Sequence, residues 1–220
     1  MFQRHRPPVH LADSDDPIEG PEVLIAFDFD GTMTTKDSFL AFLRWRAGWF
    51  GYNWNMFRLL PAAISYVFHR DRGRLKSAAA RMFLRGVHRE TLEKDAAAFA
   101  SEVNWSLFRP DALRTWRHWR GKGARVVIVT ASPETTVAPF ARSLGAYKLI
   151  ATALEFDASD RVTGAFATPN CRGREKVRRL REVFGDDVTL TAAYGDTPGD
   201  KDMISMAEER GYRVFSGKPA

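Results

Sequence analysis

The sequence predicts an α/β fold, a Rossmann-like parallel sheet with a helical insert, and three observations carry that prediction. Short apolar runs at 23–27, 125–130 and 188–194 have the unbroken pattern of strands covered on both faces. Helical stretches separate the later runs, as expected when neighbouring strands run parallel. Between the first run and the rest lies a segment, residues 41–104, that has helical periodicity and no strand-like run.

Each element follows from local sequence. Residues 1–21 combine prolines and charges without the apolar core of a secretory leader, and are expected to form a flexible tail. Val23–Phe27 is the first strand. In the insert, Trp54, Phe57, Pro61, Ile64 and Phe68 recur at spacings of three and four, one stripe of a helix, with further helices expected over 72–85 and 90–103. The sheet domain then comprises residues 22–40 and 105–220. A helix over 110–120, ended by Gly121 and Gly123, leads into the strand 125–130. Residues 149–156 and 161–167 flank "DASD" and predict a hairpin attached to the sheet. A helix over 173–184 precedes the strand 188–194, and a helix over 200–210 precedes a last strand over 212–215.

Bulk properties narrow the class. With 220 residues and 45% hydrophobic content the chain is a folded globular protein, not a disordered one. The single cysteine, Cys171, cannot form an internal disulfide and is expected to be a buried thiol, so a cytoplasmic setting fits. No run reaches the roughly 18 uncharged apolar residues of a spanning helix; Ala47–His69 comes nearest and is interrupted by Arg58. Residues 41–104 hold 11 Lys+Arg against 5 Asp+Glu, so the whole net charge of +6 sits in the insert. Three readings of this basic aromatic segment stand open. Trp45, Trp49, Trp54, Phe50, Tyr52 and Phe57 could form the insert's own core. Alternatively, they could lie with the arginines on an anionic membrane surface, a peripheral association at its inner face. Nucleic-acid binding is the third reading, but no recognisable motif supports it.

The chemistry-bearing residues stand where the strands end. Ligands of parallel α/β sheets bind beyond the carboxyl ends of the strands. There the first strand meets Asp28 and Asp30, the second Thr130 and Ser132, and the third Asp196 and Asp200; Lys176 opens the helix before the third. Carboxylates converging on one edge repel one another unless a cation joins them, and Mg²⁺ is the hard, oxygen-seeking ion such a site suits.

These stretches resemble the four motifs of the haloacid dehalogenase superfamily of phosphohydrolases: "DFDGT" at Asp28–Thr32, "VVIVTAS" with Thr130, Lys176 in "CRGREKVRRL", and "GDTPGD" with Asp196 and Asp200. The resemblance spans Val23 to Phe215. It implies a phosphate monoester substrate, with Asp28 as nucleophile and Asp30 as general acid and base. Thr130, Ser132 and Lys176 would bind the phosphoryl oxygens. Mg²⁺ would be held by Asp28, Asp30 through its backbone carbonyl, Asp196 and Asp200. The insert's position is similar to the first type of cap, as in the phosphoserine phosphatase-like subfamily IB. "AFDFDGTMTTKDSFLAFLRW" looks most like the bacterial branch that includes phosphatidylglycerophosphatase C. One departure stands out: Gly199 occupies the place where phosphoserine phosphatases usually carry Asn.

Overall fold

The computed structural model describes residues 23–58 and 72–219. The expected tail, the Pro61–Phe68 part of the insert's stripe and Arg70 lie outside the described residues. A five-stranded parallel sheet has the order β3-β2-β1-β6-β7. Its members are β1 (Leu24–Phe27), β2 (Arg125–Pro133), β3 (Lys148–Thr152), β6 (Leu190–Gly195) and β7 (Ala207–Tyr212). β1 is central, pairing with β2 on one side and β6 on the other. The direction of winding reverses at β1, so a crevice opens beyond the carboxyl ends of β1 and β6.

The period-2 geometry of a strand divides the apolar residues of β1 and β2 between two cores. Ile25, Phe27, Val126 and Ile128 face one side, under α4 (Pro110–Gly121) and α5 (Glu134–Leu144). Leu24, Ala26, Val127 and Val129 face the other, under α6 (Arg174–Phe184) and α7 (Lys201–Ser205). Both faces are therefore buried, which is why the strands read as continuous apolar runs.

The insert provides α1 (Ser38–Arg58), α2 (Arg72–Leu84) and α3 (Arg89–Val103). Ala79, Ala80, Leu84, Leu92, Ala96 and Phe99 belong to the same core as Phe27 and Phe29, so these helices share apolar packing with the sheet domain. Gly48 breaks α1 with φ +67 and ψ 172. Before it, Arg46 pairs with Asp95 of α3 at 2.7 Å; beyond it, the ring of Tyr52 leans on Phe83 of α2. Trp45 and Tyr52 pack against the core, as a core role for the insert's aromatics requires. Trp49, Phe50, Trp54 and Phe57 do not: all four are exposed. Among the described residues, no helix is long and apolar enough to cross a membrane.

Several elements differ from expectation. The apolar stretch 149–156 is two strands: β3 joins the parallel sheet as its edge, and β4 (Leu154–Phe156) pairs with β5 (Val162–Phe166) in a separate antiparallel ribbon. That ribbon is fastened to the insert rather than to the main sheet. Gly86 N donates to Val162 O at 2.8 Å, Val162 N donates to Val87 O at 2.9 Å, and Arg89 pairs with Asp160 at 2.7 Å. Helix α5 is absent from the sequence reading because Pro139 sits inside it. The expected helix over 200–210 stops at Ser205, and the last strand begins at Ala207 instead of Tyr212. Residues 207–210 have the composition of a helix, but pairing of this edge with β6 overrides that preference. The register sets Gly211 opposite Tyr194, where an added Cβ would come within 2.1 Å of the Tyr194 ring.

Gly164 is a second place where ribbon and insert approach closely. It has φ +92, and a Cβ there would lie 2.6 Å from the Arg81 Cα of α2. Backbone on both sides leaves no flexible group to yield. Gly164→Ala is expected to destabilise the protein by about 2 kcal/mol or more. The check is a urea midpoint that falls without a change in slope.

Candidate active site

The site is built from strand ends. β1 delivers Asp28 directly, its amide donating to Tyr194 O at 2.9 Å. The chain then turns tightly, with Met33 N donating to Phe29 O at 2.9 Å and Gly31 at φ +85. Glycine is required there, since a Cβ at Gly31 would sit 2.4 Å from Asp196 Oδ2. Asp196 follows β6, and Thr197 starts a single 3-10 turn whose capping box ties Asp200 Oδ2 to Thr197 N at 2.8 Å and to Thr197 Oγ1 at 2.7 Å. Oxygens of Asp28, Asp196 and Asp200 lie within 4.8 Å of one another.

Lys176, near the start of α6, reaches into this cluster and is 1% exposed. Its ammonium donates to Asp28 Oδ1 at 2.6 Å and Val129 O at 2.6 Å, and pairs with Asp200 Oδ1 at 2.7 Å. All three protons of the ammonium thus have acceptors. Thr32 Oγ1 bridges from Asp28 Oδ2 (3.2 Å) to Asp196 Oδ1 (3.3 Å).

One ammonium does not neutralise three carboxylates. Burial pushes the Asp28 carboxyl up to about 7, against the pull of Lys176 and with the Asp200 and Asp30 charges adding to the rise. Burial, then the Asp200 charge, raises Asp196. Burial acts to raise Asp200 as well, but the Lys176 charge and the hydrogen bonds from Lys176 and Thr197 hold it below the usual carboxylate value. Burial acts to lower Lys176, and Asp28 and Asp200 more than reverse it. Among the described residues, the cluster is short of positive charge.

Asp30 occupies a second cluster. Its Oδ1 accepts from Ser38 N at 2.7 Å and Ser38 Oγ at 2.6 Å, and its Oδ2 accepts from Ser132 Oγ. Lys76 of α2 donates to Ser132 Oγ at 2.8 Å and lies 3.6 Å from Asp30 and 3.4 Å from Asp37. Thr130 is buried at the end of β2, and its hydroxyl accepts from Ser132 N at 3.1 Å. The predicted residues therefore converge as two groups. Asp28, Lys176, Asp196 and Asp200 form one; Asp30, Ser132 and Thr130 form the other.

The haloacid dehalogenase-like hydrolase family matches residues 25–205. The chain belongs to that family. Protein CicA of Caulobacter vibrioides (strain NA1000 / CB15N) is 58% identical over 200 residues, covering 90% of this chain and 89% of CicA. A crystal structure of a protein of unknown function from Bordetella pertussis Tohama I superposes with a TM-score of 0.69 at 22% identity, covering 84% of this chain and 87% of that one. A phospho-aspartyl intermediate analogue of phosphoserine phosphatase superposes with a TM-score of 0.55 at 18% identity, covering 86% and 84%.

Lys76 and Asp37 were not anticipated in this haloacid dehalogenase-like hydrolase. Asp37 has a legible local role, since its Oδ1 accepts from Leu40 N at 2.9 Å and so caps α1. Nothing around Lys76 in the sequence marks it; only the packing of α2 brings it to Asp30. Cys171 is fully buried, its amide donating to Thr152 Oγ1 at 3.0 Å, as the expectation of a structural thiol requires.

Two outcomes follow from these contacts. Lys176→Met leaves the carboxylates buried without their cation and is expected to cost about 3–5 kcal/mol in urea unfolding near neutral pH. Burial raises the Cys171 thiol to about 11, so below that pH it stays protonated and inert. Iodoacetamide at mildly alkaline pH is expected to label it only after denaturation, as read by mass spectrometry.

Proposed function

We propose that this hydrolase is a Mg²⁺-dependent phosphomonoesterase that works through an aspartyl-phosphate on Asp28. The observation that carries the reading is the meeting of Asp28, Asp196 and Asp200 around Lys176 at the carboxyl ends of β1 and β6. The donor set fits magnesium, being oxygen-only, compact and deficient in positive charge. Asp28 and Asp196 would be the direct carboxylate ligands, and Asp200, paired with Lys176 and tied to Thr197, would orient Lys176 beside them. The Asp30 backbone carbonyl would be the third protein ligand. When bound, the ion would orient the phosphate and reduce its repulsion from the nucleophile.

The residues of the chain divide the rest of the work. An Asp28 oxygen attacks phosphorus as the ester P–O bond breaks, and Asp30 gives its proton to the departing oxygen. Asp30 then takes a proton from water as that water attacks phosphorus, releasing phosphate and restoring Asp28. Lys176 and the Thr130 hydroxyl offset charge on the phosphoryl oxygens. Ser132 holds Asp30 and would contact substrate beside Thr130. Residues 41–104 act as a cap on a core formed by 22–40 and 105–220, a role supported by the reach of Lys76 to the Asp30 cluster.

For substrate, we propose a phosphate monoester on a lipid headgroup, such as phosphatidylglycerophosphate. Two features support it over an amino-acid phosphate. The motif-one region is similar to the phosphatidylglycerophosphatase C branch. The Asn of phosphoserine phosphatases is replaced by Gly199, where an added Cβ would meet Arg172 Cγ at 2.5 Å.

Asp28→Asn is expected to lower turnover of an aryl phosphate at least about 10³-fold with unchanged circular dichroism. Wild-type activity in that variant refutes the nucleophile. Dialysis against EDTA is expected to abolish turnover, with recovery on adding Mg²⁺. In a panel of phosphatidylglycerophosphate, phosphoserine and sugar phosphates, the lipid is expected to show the highest kcat/KM; preference for a soluble ester overturns the substrate reading alone.

A further inference from the structure

We infer that the exposed aromatic face of α1, together with the acid-free helices that carry it, docks on an anionic lipid bilayer. Beyond the break at Gly48, Trp49, Phe50, Trp54 and Phe57 are 62%, 82%, 65% and 67% exposed. Phe50, Trp54 and Phe57 follow at spacings of four and three and share one face of the helix. Trp49 adjoins it, its ring edge-on to Phe50 at 4.8 Å. The other side of this half-helix is the packed one, where Tyr52 and Met56 meet the core. Single exposed apolar side chains are ordinary in soluble proteins, whereas a cluster of large aromatics marks an interaction surface.

Charge selects the occupant. Neither α1 nor α2 contains an Asp or Glu; among their arginines with described side chains, Arg44 and Arg81 are exposed and Arg46 pairs with Asp95. In sequence, no acidic residue occurs from Ser38 to Arg70. The neighbouring acids on α3 face the part of α1 before Gly48, where Asp95 pairs with Arg46 and Glu102 accepts from Trp45 Nε1 at 2.7 Å. A basic, aromatic surface suits anionic headgroups: the rings enter the interface and the arginines stay at headgroup level. A second copy would oppose like charge to like. Nucleic acid needs cations interleaved with the stacking rings, but Ala47–Phe57 carries no charge at all.

This inference deepens the lipid-phosphate reading but rests on separate residues, and its test needs no catalysis. The full chain is co-sedimented with phosphatidylcholine vesicles with and without phosphatidylglycerol. Expected are binding to the anionic vesicles only, a blue shift of tryptophan emission, and weakening as salt is raised. The Trp49→Ser/Phe50→Ser/Trp54→Ser/Phe57→Ser variant is expected to bind at least about tenfold more weakly while keeping aryl-phosphate turnover and its circular dichroism. Should that variant fail to fold, Arg44→Glu/Arg81→Glu provides a second reading through a reduced salt dependence. Three results overturn the docking surface: no binding to anionic vesicles at low salt, tryptophans shielded from acrylamide in the free protein, or a dimer that the aromatic variant dissolves. Lipid hydrolysis without vesicle binding leaves the enzymatic reading intact and removes this one.

Discussion

The burial of Lys176 between Asp28 and Asp200 is the constraint around which the site is arranged. Taking an ammonium and two carboxylates out of water costs several kcal/mol per ion, and only close, fully hydrogen-bonded geometry offsets it. The fold meets that demand from three directions. β1 and β6 run side by side and bring Asp28 and Asp196 to one edge. The turn at Thr197 fixes Asp200 by hydrogen bonds from both its amide and its hydroxyl. The loop before α6 is locked to the same turn by Gly173 N, which donates to Gly199 O at 2.8 Å, so the lysine enters from a fixed direction. The remaining excess of negative charge makes the cluster a place for a divalent cation, and then for an anionic substrate.

A second electrostatic set governs the acid/base residue, and it crosses a structural boundary. Asp30 is held by Ser38 at the start of α1 and by Ser132 after β2, and Lys76 from α2 approaches both Asp30 and Ser132. Burial and the Asp30 charge raise Asp37, while Asp30 and Asp37 hold Lys76 above its ordinary value in spite of burial. The proton donor of the proposed reaction is therefore surrounded partly by groups that the insert supplies. Any displacement of α2 changes the charge next to Asp30, and through Lys76 and Asp30 it is also felt at Asp28.

Much of the sheet and the whole Asp28 cluster were legible in the sequence, for a physical reason. Doubly covered parallel strands need unbroken apolar runs, and carboxylates at their ends stand out against those runs. The same logic failed at the sheet's edges. Residues 207–210 are charged and helix-forming, and only pairing with β6 makes them a strand; Pro139 concealed α5. The apolar stretch 149–156 hid a change of partner, because hydrophobicity does not say which sheet a residue joins. Lys76 was illegible for a deeper reason: its role arises from the packing of α2 on β5, which carries Lys76 to Ser132 and Asp30, groups far apart in sequence.

The aromatic face of α1 shows how a local backbone choice can separate two demands on one helix. Before Gly48 the helix is bound to α3 by Arg46 and Trp45; beyond it, Tyr52 leans on α2. A Cβ at Gly48 would meet nothing within 4 Å, so crowding does not dictate glycine there; the positive φ does. An unbroken helix would keep a single direction. The break instead lets Tyr52 lean on α2, the other helix without acids, while Ser38, at the start of the same helix, holds Asp30. One helix thus links the proton donor at its first residue to an apolar, positively flanked surface at its far end.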